Sequence, residues 1–251
     1  MGLYIETRIR ADLDELWART QHPARHRRWD LRFTDIDYLP RTEGEPQRFR
    51  YVTRVLPFLT VSGTGVAAGE KERPDGTRTS ALRFSSPHPL SLIAEGSGYW
   101  RYVPDAHGVR FLTGYDYRPR WGAFGSVVDR LVFRPLMGWA TAWSFDRLRL
   151  WLERGITPER ALANWLTELT VRALVLVVCC AGLGQETRLG YFGGFAATAA
   201  YLLPLLLLTA ICAALLKAPL ACTPAARRCL RAPVINGARA PRVLRTLEKR
   251  R

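Results

Sequence analysis

A chain of 251 residues has room for one domain of about 150 to 170 residues with a real core, and something smaller beside it. Its formal net charge of +15 is uneven: residues 1–160 hold 25 Lys and Arg against 19 Asp and Glu, residues 161–216 hold two of each, and residues 217–251 hold ten against one. A basic tail that follows a long apolar stretch, with no recognition motif beside it, argues against a nucleic-acid partner and for the cytoplasmic side of a membrane.

The N-terminus MGLYIETRIR has no apolar h-region, and Glu6 stands where a myristoylation signal needs Ser or Thr, so neither a signal peptide nor that lipid anchor is expected. Residues 4–11 alternate like a strand. Asp12 then caps a short helix with Leu13, Leu16 and Trp17 on one face, and Pro23 opens a second, PARHRRW. His22 and His26 are four apart, a spacing that suits a metal on a helix, but Pro23 and the arginines at 25, 27 and 28 argue for a solvated face instead. The five cysteines, at 179, 180, 212, 222 and 229, show no metal or disulfide spacing. No metal and no cofactor is expected.

Six strand-like stretches follow, at about 31–39, 47–56, 58–70, 78–85, 91–103 and 108–118, with RTEGEP, RPDG and PDAHG between them, which is the pattern of an antiparallel meander. The glycines of SGTGVAAGE and EGSGYW are read as easing strand curvature, because no helix opens after them as a phosphate loop requires. His88 and His107 have no visible acid or nucleophile partner. Phe49 and Tyr51, Phe84, Trp100, and Phe111, Tyr115 and Tyr117 fall on the inward phase of four strands, while Glu95 and Asp116 fall on the opposite phase, where pairing with Arg is expected.

A long helix from about Phe124 to Glu153 comes next, kinked or divided at Pro135. Along it Phe124, Val128, Leu131, Pro135, Gly138, Ala142 and Phe145 line up, bulky at the ends and small in the middle, which leaves room beside a sheet. Trp139 and Trp143, one turn apart, are expected on a membrane-proximal surface.

The opening strand YIETRIRA with DLDELW, the stretch HPARHRRW, and the strand, glycine turn and proline-bearing helix of GYDYRPRWGAFGSVVDRLVFRPL together resemble the START-like (SRPBCC) superfamily, which includes polyketide cyclases and dehydrases. The resemblance covers about residues 3–154. It implies an α+β helix-grip fold: seven curved antiparallel strands around a long C-terminal helix, with two short helices after the first strand. It also implies a cavity between sheet and helix, with Phe49, Tyr51, Phe84, Trp100, Phe111, Tyr115, Tyr117, Leu131, Gly138 and Ala142 as its expected lining. The superfamily shares architecture more than activity, so no catalytic residue is carried over.

Residues 189–216 form an uncharged stretch of 28, long enough to cross a bilayer. The earlier stretch 161–184 is weaker, with about 13 strongly apolar residues after Arg172. A second crossing there keeps both the large domain and the basic tail in the cytoplasm, with Arg172 snorkelling toward Glu168 and a loop near Gln185 to Arg188 outside. The expected organisation is a START-like domain over 1–156, a transmembrane hairpin over 157–216 (about 162–183 and 190–216), and a basic cytoplasmic tail over 217–251, disordered or on the membrane surface. The expected function is a domain tethered to the inner (cytoplasmic) membrane of a bacterium that binds a hydrophobic small molecule such as a lipid, isoprenoid or polyketide, with membrane lipids as its other partner. An enzyme of the cyclase, aromatase or dehydratase kind is the alternative, and a membrane-anchored interaction protein with a filled pocket is the third.

Overall fold

Alternation at the N-terminus becomes β1 (Leu3–Ile9), and Asp12 ends it by capping α1 (Leu13–Gln21): its carboxylate accepts the backbone N–H groups of Asp14 and Glu15 at 2.8 and 3.2 Å. The computed structural model describes residues 2–41, 43–56, 59–189 and 196–233. Pro23 opens α2 (Pro23–Trp29). Six further strands follow: β2 (Asp35–Tyr38), β3 (Arg48–Leu56), β4 (Leu59–Glu72), β5 (Arg78–Ser85), β6 (Ile93–Asp105) and β7 (Gly108–Pro119). They pair antiparallel with β1 in one sheet of order β1-β7-β6-β5-β4-β3-β2. β2 is shorter than its sequence suggests because Asp30 draws Leu31–Phe33 into a turn, accepting from the Arg32 backbone N–H at 3.1 Å while its carbonyl takes that of Phe33.

The long helix is built in three pieces. α3 (Gly122–Val128) runs into a π turn at Asp129–Phe133, and α4 (Arg134–Arg154) continues to Gly155, whose left-handed φ of 64° ends it. Pro135 lacks an N–H and crowds the carbonyl four residues before it; the widened π turn is where the helix accommodates that, in place of a simple kink. Small residues let α4 lie close on the sheet: a Cβ added at Gly138 would stand 3.1 Å from Leu3 Cδ2. Trp143 is buried within the domain, stacked on Trp139 at 6.3 Å, and not on an outer surface as its position suggested.

The chain divides into two units, one of residues 1–158 joined by the segment from Ala225, the other of Glu159–Pro224. The second unit holds α5 (Pro158–Leu189) and α6 (Ala196–Leu216). Among the described residues one helix, not two, is long and apolar enough to cross a membrane: Pro158–Gly184 of α5, whose apolar stretch of 18 residues is only 6% buried. The described apolar part of α6 is Leu202–Leu216, and residues 190–195 of that expected span lie outside the described residues. Nor does a loop open at Gln185–Arg188, because QETRL contains no Gly or Pro and α5 continues through it. Arg172 pairs with Glu168 at 2.6 Å and also donates to the Ala214 and Ala218 carbonyls at 2.7 and 3.3 Å, satisfying orphan acceptors at the end of α6.

The first residues of the expected free tail that follow Pro224 instead rejoin the first unit. A single 3-10 turn, Ala226–Arg228, lies against α4, where the fully buried Asp146 accepts from the Ala225 N–H and from Arg228, both at 2.8 Å. Leu230 then exchanges backbone hydrogen bonds of 2.9 and 2.8 Å with Glu6 on the edge strand β1. Residues 234–251 lie outside the described residues.

Candidate functional site

Register decides which side chains face α4. Tyr115 reaches Thr141 Oγ1 on α4 at 2.9 Å and Tyr117 donates to Asp129 in the π turn, so their phase of β7 is the inward one. Across the sheet, Tyr117 is paired with Gly96, Gly96 with Phe84, Phe84 with Gly65, Gly65 with Phe49, and Phe49 with Tyr38. One inward row therefore alternates aromatic and glycine. The rings lie across the glycines beside them: a Cβ at Gly65 would stand 2.1 Å from Phe49 Cζ, one at Gly96 2.5 Å from Phe84 Cζ, and one at Gly63 2.3 Å from the Tyr51 hydroxyl. Any side chain at these positions would lift the ring above it, so the wall is smooth only because glycine is there.

That inner face has a packed half and an open half. At the packed half Phe111 stacks on Phe145 at 4.4 Å, Trp100 and Tyr102 close on Phe111 at 5.9 and 5.0 Å, and Trp29 seals them from α2. Trp100, Phe111 and Ala142 are buried in this cluster or beside it, and Gly138 is buried against Leu3. At the other half Phe49, Tyr51 and Phe84 are only half-buried, an aromatic surface on which Phe33 packs edge-on to Tyr51 at 5.8 Å. Burial pushes the Tyr51 hydroxyl up to about 12, the mark of apolar surroundings. Leu131, expected in the lining, is 70% exposed on the outer side of the helix.

Two polar clusters lie where β7 meets the helix. In the first, Tyr117 donates to the buried Asp129, which also receives Arg134 at 2.9 and 3.1 Å. Burial first, and then the Asp129 carboxylate, push the Tyr117 hydroxyl up, so it stays protonated and acts as a donor. In the second, Arg32 lies 5.6 Å over the Tyr115 ring and is held by Asp30 through contacts of 2.9 and 2.6 Å, with His26 on the same carboxylate at 3.0 Å. Burial acts to raise the Asp30 carboxyl, but the Arg32 guanidinium outweighs it and holds that group well below the usual carboxylate range. Burial also lowers His26, whose ring packs on Trp29 and Trp100 and is not on a solvated face: α2 turns it toward the sheet.

Sequence reading missed Asp30, Arg32, Asp129 and Arg134. A carboxylate amid VVDRLVF was a usable sign, since a charge within an apolar helical run needs a partner. On the opposite face of the sheet, Glu95 pairs with Arg118 at 3.2 Å and Asp116 is exposed. A depression of about 670 Å3 lies on that face, lined chiefly by outward side chains such as Thr64, Arg83, Ser97 and Asp116.

The strand order, the two short helices after β1 and the long gripping helix make a helix-grip fold. No family model matches the chain. Over 163 residues, 64% of this chain, it is 50% identical to the uncharacterized membrane protein YndG of Bacillus subtilis (strain 168), and it spans 61% of that relative's length. Among solved structures it is similar to TTHA0849 from Thermus thermophilus (TM-score 0.45, 19% identity, 65% of this chain and 98% of that one). It is also similar to the di-domain ARO/CYC StfQ from the steffimycin biosynthetic pathway (0.46, 12%, 60% and 49%) and to the STAR-related lipid transfer protein from Xanthomonas axonopodis (0.44, 21%, 59% and 84%). Likenesses this distant carry no argument about activity. The membrane-protein relative and the apolar length of α5 together support membrane association.

Proposed function

We propose that this chain is a membrane-tethered START-like domain that holds a flat, apolar small molecule in the trough formed by Phe49, Tyr51 and Phe84, with an oxygen of that molecule directed at Tyr115 and Tyr117. The observation that carries this reading is the aromatic and glycine row, half-buried and ending at hydroxyl groups. Such a surface offers area for a planar or lipidic body and few polar groups to orient it, which is the usual composition of a small-molecule site. Trp100, Phe111, Gly138 and Ala142 serve as its packed backing.

The test is mass spectrometry of small organic molecules extracted from the purified full-length chain. The wild type is expected to carry an apolar compound, depleted several-fold in Phe84→Trp and Tyr51→Trp, which fill the trough. Extracts indistinguishable from a detergent-only control would overturn the reading. The second reading, a cyclase, aromatase or dehydratase type of enzyme, is favoured by the buried Asp129 at the end of the trough: the Tyr117 hydroxyl donates its proton to that carboxylate, so its oxygen is left to accept from a substrate hydroxyl, and Asp129 would act as a base through it. Asp129→Asn separates the two, since it would abolish turnover while a binding module would keep its ligand.

For the membrane part we infer a hairpin in which α5 and α6 both cross, with residues 1–158 and the segment after Pro224 in the cytoplasm. Its supports are the tie from Arg172 to the Ala214 carbonyl, the Asn164 side chain donating to the Cys222 carbonyl at 3.1 Å, and the return of the chain to its first unit.

A further inference from the structure

A helix that covers a sheet normally turns its apolar side inward. α3 and the π turn do the reverse. Their buried positions are Gly125 and Asp129, while Phe124, Val127, Leu131 and Val132 point outward, Phe124 and Leu131 with 69% and 70% of their surface exposed, and Leu136 continues the exposed face onto α4. Exposed apolar side chains scattered singly are ordinary, but consecutive turns of them on one helix mark an interaction surface. Trp121 begins it, held at a φ of 67° that bulky residues rarely adopt and anchored by its indole N–H on the Pro89 carbonyl at 3.1 Å.

Charge identifies the partner. From Arg118 to Phe145 the chain has four arginines, at 118, 120, 130 and 134, and one acid, Asp129. That acid is turned inward onto Tyr117 and Arg134, Arg118 pairs with Glu95 on the opposite face of the sheet and Arg120 donates to the Ser86 carbonyl, so the outward side of the helix is apolar with Arg130 and the exposed part of Arg134 beside it. A tryptophan at the rim, large aliphatics in the centre and arginines alongside are the composition of a helix that lies in the head-group layer of an anionic bilayer. The same polypeptide carries α5, which follows α4 after only three residues and is long and apolar enough to cross a membrane. We propose that Trp121, Phe124, Val127, Leu131, Val132 and Leu136 form a membrane-interface surface seated in an anionic bilayer. The inference stands apart from the ligand reading, although the inward side of this helix carries Asp129 of the trough.

Hydrogen exchange of the full-length chain in nanodiscs tests it, comparing phosphatidylcholine alone with a mixture containing phosphatidylglycerol. Backbone amides of residues 121–137 are expected to exchange about fivefold more slowly in the anionic discs, in line with the attraction of one arginine to such a surface, about 1 kcal/mol. A Phe124→Asp, Leu131→Asp double variant is expected to lose that difference while its thermal unfolding stays unchanged, because both positions are solvent-facing. Equal exchange in the two lipids, protection retained in the variant, or protection that rises with protein concentration as a second copy covers the face would each overturn the proposal.

Discussion

His26 occupies a position where a titration and the fold are coupled. Its ring is enclosed by Trp29, Phe33 and Trp100, and the charged groups facing it are Asp30 and Arg32. Burial lowers its pKa below the reference 6.5, against the pull of Asp30. In the window below that reference value the unfolded chain therefore binds a proton that the folded chain does not, so this contribution to stability is complete above about pH 6.5 and is lost as the pH falls toward the folded value. Asp30, its hydrogen-bonded partner, acts in a separate window: its depressed pKa makes its own contribution fade only below its reference value of 3.8. Between pH 7.5 and 5.5 the wild type is thus expected to lose up to about 1 kcal/mol through His26, while His26→Gln, which keeps a donor for Asp30, gives a flatter profile over that range. Chemical denaturation of both proteins at three pH values measures this. Identical slopes would mean that His26 titrates alike in the folded and unfolded chain.

At the scale of elements, the segment Ala225–Leu230 completes the domain. Asp146 is fully buried and takes one hydrogen bond from Arg149 at 2.7 Å and two from this segment, while the Cys229 thiol, raised by burial to about 12, donates to the Ala142 carbonyl at 3.2 Å. Ending the chain after Pro224 strips a buried carboxylate of two of those partners and uncovers the edge of β1. That is expected to cost about 3 kcal/mol, or roughly 6 to 12 °C in the melting temperature of the domain. Arg228→Ala removes one partner and is expected to cost less than half as much; unchanged melting of the truncated chain would show the segment to be dispensable. Sequence periodicity could not reveal this segment, because it has no periodicity: ACTPAARRCL reads as a basic linker, and only the folded surface of α4 supplies the buried carboxylate that receives it. The elements that were legible, the seven strands and the long helix, are those where alternation or helical spacing runs for many residues. The trough was half legible on the same grounds. Alternation placed Tyr115 and Tyr117 inward, but nothing in DLRF or VVDR told which charged groups would meet them, since those contacts join residues far apart in the chain or hidden inside a helix turn.

For the whole molecule, connectivity constrains topology more tightly than hydropathy does. The unit Glu159–Pro224 leaves from, and returns to, one folded body, since Arg147 Nε holds the Pro158 carbonyl at 2.8 Å and Asp146 holds Ala225 within the same unit. A folded domain does not straddle a bilayer, so its two connections must emerge on the same side, and the segment between them must cross an even number of times or not at all. One crossing by α5 alone is therefore incompatible with a docked Ala225–Leu230. If α5 crosses, then α6, 21 residues that span about 31 Å at 1.5 Å per residue, is the helix available to bring the chain back, and its length matches the hydrocarbon thickness. In the proposed hairpin, the ten basic residues after Leu216, against one acidic, belong on the cytoplasmic side. Reporter fusions at residue 1 and after residue 251 are expected to report the same, cytoplasmic compartment, and a protease site inserted between residues 190 and 195 to be cut only from the opposite side in sealed vesicles. Were the two ends found in different compartments, the docked segment and a crossing α5 could not both exist in the cell. Finding both ends and the 190–195 site on one side would instead mean that α5 and α6 lie on the membrane without crossing it.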